Sequence, residues 1–300
     1  MQTHEALTTL RLLRWQLGNI LIFMSLSVLV VIGEELTGEV AGVLPDLPVT
    51  VLGAAIGIFV SFRTNSAYDR WWEGRKLWGQ LVNSSRHFCA QIVAYLPLAS
   101  LVARRRVLIL QQVLYVHALR CELRSEPVAA DPDIKRVASE CEVDVDAAAA
   151  SLTTRLLRRQ LQELAQLTDK SELDARRLQT LDQTLATLLD VQGGCERIRN
   201  TPLPPNYARI AELLIRTYAI LLPLAIVDDL HWLAIPVSIV VCLAFKLISE
   251  VGRVLEDPFT KDWDALPLHA LSRTIERNLR DAIGDAAPPA ATPNELGVLL

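Results

Sequence analysis

Few residues in this chain of 300 are grouped in a way that could perform covalent chemistry. The five cysteines (Cys89, Cys121, Cys141, Cys195, Cys242) show no CxxC spacing and read as free buried thiols. The five histidines lack metal-ligand spacing, with His87 and His117 on separate predicted helices. No P-loop, GxGxxG turn, HExxH helix or GxSxG elbow occurs, so neither an enzyme nor a cofactor is expected. What recurs at contact spacing is electrostatic. Arg70, Trp71, Trp72, Glu73 and Arg75 crowd one segment, SFRTNSAYDRWWEGRKLWG (Ser61–Gly79), which also holds Trp78. Arg70 and Glu73, three apart on a helix, can pair, as can Glu212 and Arg216, four apart. Glu256 and Asp257, with Asp262 and Asp264 further on, are the weak candidates for a metal site. Calcium takes six to eight oxygens, so helix-end or intersubunit charges are the simpler reading of that pair.

The elements that position these groups are apolar. Residues are 51% hydrophobic and 21% charged, with a mean hydropathy of +0.28, a combination that requires the apolar residues to be concentrated in a few segments. Four such segments stand out: Gln16–Gly33 and Leu47–Phe62, both uncharged, Ile210–Val227, which carries Glu212 and Arg216, and Leu230–Phe245. A bilayer core needs about 20 helical residues. The last three segments are short or polar by that standard, as if they rested on protein rather than lipid. The tryptophans beside the polarity step at Ser61 suit a membrane–water interface, although a packed aromatic cluster has the same composition. A net charge of −4 and a pI near 5.8 argue against nucleic acid as a partner, since phosphate binding needs a basic face.

Orientation follows from the basic residues. The Gly33–Pro48 connection holds Glu34, Glu35, Glu39 and Asp46, and the turn near Asp228, Asp229 and His231 is also free of Lys and Arg. Arg14, Arg63, Arg70, Arg209, Lys246 and Arg253 fall on the other side, which predicts four spans in the cell's inner membrane with both termini cytoplasmic. The chain thus divides into a cytosolic segment (1–15), two spans with an acidic outer loop (16–68), a helical cytosolic domain (69–205), two further spans (206–250) and a cytosolic C-terminal segment and tail (251–300). In the cytosolic domain, Arg104–Arg124 reads as amphipathic, Ser151–Leu167 and Ser171–Arg199 repeat Leu at helical spacing, and Pro127, Pro132 and Val143–Ala150 read as loop. The TPLPP run at Thr201–Pro205 must end the preceding helix. No β pattern is visible: the fold class is all-α and integral to the membrane.

Three blocks carry a resemblance. AAIGIFVSFRTNSAYDRWWEGRKLWGQLVNSSR, GGCERIRNTPLPPNY (Gly193–Tyr207), and VDDLHWLAIP with EVGRVLEDPFTKDWDALPLHALSRTIERNL (within Val227–Leu279) resemble, in order, the bacterial branch of the bestrophin family. The resemblance implies a homopentameric ion channel whose second helix lines a narrow neck, with neck positions at Ala54, Ile58 and Phe62. Spacings of i, i+4 and i+8 stay on one side of a helix, drifting by roughly 40° per step. The family usually has a bulky residue at the first position, so Ala54 is a departure, while rings of Ile58 and Phe62 would gate by dewetting. The resemblance places a second aperture, at the cytosolic exit, on Leu203 of the Leu203–Pro204 step, and Arg70, Trp71, Trp72 and Glu73 are candidates for the subunit interface or the pore entry. Animal members hold calcium after the fourth span. Here Thr260 replaces a usual Gly and Ala265 a second acid, which argues against such a loop.

The resemblance favours passive flow of small inorganic ions, chloride by family default, with monovalent cations such as sodium open because the outer acids would concentrate them. The same neck residues would also serve simply to pack against other helices. A proton-coupled transporter using Glu212 with Asp228 or Asp229, and a membrane-anchored scaffold, are the alternatives. The first would show paired broken helices or an internal repeat, and neither is visible.

Overall fold

The computed structural model describes residues 6–38, 48–145, 151–262 and 265–293, with side chains from Arg14 onward. Glu39, Asp46, Asp264 and the end of the Val143–Ala150 stretch lie outside the described residues. Among those described, the secondary structure is helical throughout: α1 (Ala6–Thr37), α2 (Val49–Tyr95), α3 (Val102–Leu123), α4 (Pro132–Glu140), α5 (Leu152–Asp169), α6 (Ala175–Asn200), α7 (Pro205–Leu230), α8 (Ala234–Glu256) and α9 (Leu268–Asp281). The chain forms two compact units. Of the described residues, one contains 6–71 and Pro202–Asp257; the other contains Trp72–Thr201 and those from Pro258 on.

The first unit is built by α1, the start of α2, α7 and α8. Among the described residues three helical stretches are long and apolar enough to cross a membrane: Arg14–Thr37, Val49–Tyr95 and Pro205–Glu256. The last holds α7 and α8, joined by a 3-10 turn at His231–Leu233 whose first residue has φ 45°. At 1.5 Å per residue, the 26 residues of α7 and 23 of α8 each exceed a hydrocarbon core of about 30 Å. The apolar runs of the sequence therefore understated these helices, because helical hydrogen bonding continues into polar residues wherever nothing breaks it. For the same reason Glu34 and Glu35 belong to α1, which runs to Thr37 before Gly38 (φ 61°), and Asp228 and Asp229 to the last turn of α7, rather than to connecting loops. The core of this unit joins Phe23, Ile56, Val60, Ile215, Ala219 and Cys242. Tyr218 meets Phe245 edge-on at 5.5 Å. A side chain at Gly53 would stand 2.8 Å from the Tyr218 hydroxyl, so α2 approaches α7 there only because the residue is glycine. The expected Glu212–Arg216 pair forms (3.0 Å), and Lys246 Nζ joins it at 2.5 Å, which offsets the penalty of a carboxylate in an apolar unit.

The second unit packs α3 against α4, α5, α6 and α9. α3 is not amphipathic: Leu108–Cys121 is buried on every side, polar residues included, because α3 has partners all round. Pro132 does not mark a loop but opens α4, with Asp131 as N-cap accepting from the Asp133 and Ile134 amides (3.0 and 3.1 Å). α6 ends at Asn200, before the prolines that cannot continue it. The unit is tied by buried ions. Glu276 on α9 lies 3.0 Å from His117 Nε2 on α3 and 2.8 Å from Arg136 on α4, both side chains of the first pair fully buried. Arg280 grips both Glu140 oxygens at 2.8 and 2.9 Å. Burial alone would raise the Glu276 carboxyl, but hydrogen bonds and positive charge from His117 and Arg136 hold its pKa near 2. Burial, then the Arg120 guanidinium, lower His269 to about 4.

Candidate functional site

α2 is a single helix from Val49 to Tyr95, as the absence of proline before Pro97 requires. Its first turns have two unlike faces. Gly53, Ile56, Val60, Arg63 and Ala67 are buried against the rest of their unit, whereas Ala54, Ile58, Ser61, Phe62 and Asn65 are exposed. Ile58 is 59% and Phe62 67% exposed, high values for large apolar side chains. With Gly57, the exposed residues line a shallow groove of about 410 Å³ that runs along the helix. The groove mixes apolar with small polar side chains, and no charged residue lines it. Such a surface offers no nucleophile, general base or ligand set. What it can do is present a row of apolar, hydroxyl and amide groups to small solutes or to another helix.

The remaining expected residues are spread more widely. Leu203 is half-buried just before α7. Trp71 is half-buried and stacks on Tyr68 (ring centres 6.2 Å apart), and Trp72 is exposed. Trp78 is wholly buried, a core residue of the second unit rather than an interfacial anchor. Arg70 Nε donates to the Glu256 carbonyl at 3.0 Å, and Glu73 pairs with Arg197. Both therefore have partners on other helices, a role that the i, i+3 spacing did not indicate.

The acidic pair at the end of α8 is not gathered into a metal cluster among the described residues. Glu256 is 3.4 Å from the Arg63 guanidinium, and Asp257 is exposed. Among the described residues one metal-like group occurs elsewhere, Cys121, Glu126 and Asp131. Lys261 holds Glu126 and Arg120 holds Asp131, each at 2.5 Å, and burial pushes the Cys121 thiol up to about 12, so its donors are spoken for or protonated. The block after Asp257 instead folds onto its own unit: Gly74 admits Pro258, Phe259 and Leu266 within 3.1–3.4 Å of its Cβ position, and Arg124 donates to the Phe259 and Leu266 carbonyls.

Sequence reasoning missed Arg63 and Ser249, whose side chains meet across 186 residues of chain. The single available hint was a charge abutting an uncharged run.

Comparison with known proteins places this architecture. The model of the bacterial and fungal bestrophin family matches residues 8–281. The voltage-dependent anion channel-forming protein YneE of Escherichia coli is 33% identical over 250 residues, 81% of this chain and 78% of that protein. A Mesorhizobium japonicum protein with the same descriptive name is 30% identical over 85% of this chain and 80% of its own length. The crystal structure of a bacterial bestrophin homolog from Klebsiella pneumoniae superposes with a TM-score of 0.82 at 31% identity, covering 90% of this chain and 99% of that one. The chain belongs to the bacterial and fungal bestrophin family.

Proposed function

We propose that the protein is a membrane channel for small anions, in which copies of α2 from five identical subunits surround one axial pore. The observation that carries this reading is the free face of α2. Ser61 and Asn65 share it with Ile58 and Phe62, and a face turned toward lipid has no use for an amide and a hydroxyl beside its apolar residues. Relatives of this chain bear the name of anion channel-forming proteins, which favours anions as the permeant class. In this arrangement Ile58 and Phe62 form two apolar rings that pass ions when wetted and block them when dry. Ala54 leaves the outer ring wide, and Leu203 forms a second aperture at the cytosolic exit. α1, α2, α7 and α8 supply four spans in the inner membrane, with both termini on the cytoplasmic side. Arg70, Trp71, Trp72 and Glu73 serve as helix anchors near the pore's inner end, and Glu256 and Asp257 need no calcium.

A cation channel is the second reading. Exposed Asp228 and Asp229, with Glu34 and Glu35, stand at helix ends whose surroundings in sequence hold no Lys or Arg, and an acidic vestibule concentrates cations. The deciding measurement is the reversal potential of single channels in a planar bilayer under a sodium chloride gradient. A value near the chloride equilibrium potential supports the anion channel, and one near that of sodium supports the cation channel. No current from well-folded, membrane-inserted oligomers overturns both. Ile58→Ala should raise open probability; unchanged gating in that variant places the constriction elsewhere.

A further inference from the structure

Just past Phe62, α2 is fastened to the end of α8. Arg63 is only 3% exposed. Its Nη1 donates to the carbonyl and the hydroxyl of Ser249, both at 3.2 Å, and its Nη2 to Glu256 Oε2 at 3.4 Å. Thr64 Oγ1 donates to the Ile248 carbonyl (3.2 Å), and Arg70 Nε to that of Glu256 (3.0 Å). Between these bonds Gly252 lets α8 approach closely: a Cβ there would lie 3.3 Å from Thr64 Cα. The chemistry is well matched. The last carbonyls of a helix lack helical partners and form the negative pole of its dipole; Arg70 supplies a donor to one of them, and Arg63 brings positive charge to the Glu256 carboxylate at the same end. Arginine keeps its charge at any working pH, so a buried one must hold its acceptors.

We propose that Arg63 is a positioning residue of the pore, setting the rotation of α2 through Ser249 and Glu256 and so holding the Ile58–Phe62 face toward the axis. The inference rests on the reading of α2 as the pore-lining helix. At roughly 100° per residue, Phe62 lies roughly 100°, Ile58 roughly 140° and Ala54 roughly 180° around the helix from Arg63. With Arg63 held inward, all three point away from α8. Released, α2 can turn by part of a step, and the neck changes composition. The end of α8 thereby becomes a handle on the neck.

The test combines gating with a readout that stability alone does not move. Phe62→Cys is introduced, and its modification by a charged, water-soluble thiosulfonate is timed in vesicles, the native cysteines being buried. Adding Arg63→Gln should change that rate at least fivefold and shift single-channel open probability in the Phe62 background. The exchange of Arg63→Glu with Glu256→Arg should bring both back toward the parent. Parent-like rates and gating in folded Arg63→Gln protein, with only a lowered melting temperature, reduce Arg63 to a structural residue and overturn the proposal. If Arg63→Gln does not fold, Glu256→Gln keeps the Ser249 bonds and carries the same expectations. A parent protein without current defeats the channel reading itself, whereas an active parent indifferent to Arg63 defeats this inference alone.

Discussion

In the unit of α3, α4 and α9, Glu276 is wholly buried yet touches His117, Arg136 and Arg280, and Asp133, Glu140 and Asp285 extend the same lattice. In the unit of α1, α7, α8 and the start of α2, Arg63 is the one buried charged residue among those described, and the other buried polar residues there, Gln16, Ser27, Ser238 and Ser249, are neutral. The first arrangement shares its carboxylates among several cations, which holds the helices in one register, although the buried His117 Nδ1 has no hydrogen-bond partner. The second carries less buried charge, and its part of α2 is fastened to α8 through Arg63, Thr64 and Arg70. Rigidity is concentrated in one unit, and the other retains a face whose residues contribute little to folding.

The largest expected effect lies in the ionic lattice. Glu276→Ala removes the acceptor shared by His117, Arg136 and Arg280 and should destabilise the protein by about 3–5 kcal/mol, read by denaturant unfolding of the detergent-solubilised protein. Ion selectivity of the protein that survives should be unchanged. A loss below about 1 kcal/mol would mean that the lattice does not fasten α9, and the contrast between units would collapse.

Acid should find the same lattice. Glu276 has a folded pKa near 2 against an ordinary 4.5, so its contribution is complete above about 4.5 and disappears as pH falls toward 2; by linkage it is on the order of 3 kcal/mol. His269 is held neutral, with a pKa near 4 against 6.5, so its share is complete above 6.5 and is lost between 6.5 and 4. Stability should therefore decline in two stages on acidification from pH 7. His269→Gln should remove the first stage and leave the second. Stability that rises between pH 6.5 and 4.5 contradicts the His269 assignment, and stability that does not fall between 4.5 and 2 contradicts that of Glu276.

How much of this was legible beforehand differs between the units for a physical reason. Long apolar runs and the Thr201–Pro205 prolines act locally, so α1, the unbroken α2 and the end of α6 could be read from adjacent residues. Helix limits were missed where the decisive group was also local but small, as with the Asp131 cap ahead of Pro132. α3 misled because its period signals one buried face, while the fold surrounds it on all sides. The lattice and the α2–α8 fastening join residues more than a hundred positions apart, such as His117 with Glu276 and Arg63 with Ser249, and nothing in local spacing encodes such a meeting. For the candidate site, the resemblance rather than the spacing pointed to Ala54, Ile58 and Phe62, which the structure leaves exposed on one side of α2; what holds that side in place could not be read.

A smaller loss of stability is expected in the apolar unit, at the crossing of α2 and α8. Gly252→Val places branched carbons where even a Cβ would meet Thr64 Oγ1 at 3.0 Å and its Cα at 3.3 Å. Overpacking of this kind costs about 1–3 kcal/mol. Because the displaced neighbour is the backbone just past Phe62, gating should change together with stability. An unfolding midpoint lowered with parent-like gating would show that α2 and α8 separate without moving the neck.

Phe62→Ala should have the smallest effect on stability and the clearest effect on flow. Two-thirds of the Phe62 side chain is free in the subunit, so its truncation forfeits little packing within the chain, and the expected change is within about 0.5 kcal/mol for unfolding of the isolated subunit. A buried phenylalanine would lose about 3–5 kcal/mol on the same change. If five copies of Phe62 close a neck, the same variant should widen it and raise open probability and unitary conductance, measured in a planar bilayer alongside denaturant unfolding. A variant that is strongly destabilised yet conducts as the parent does would show Phe62 to be a packing residue after all, and the division between a unit that holds and a unit that conducts would fail at the residue on which it depends most.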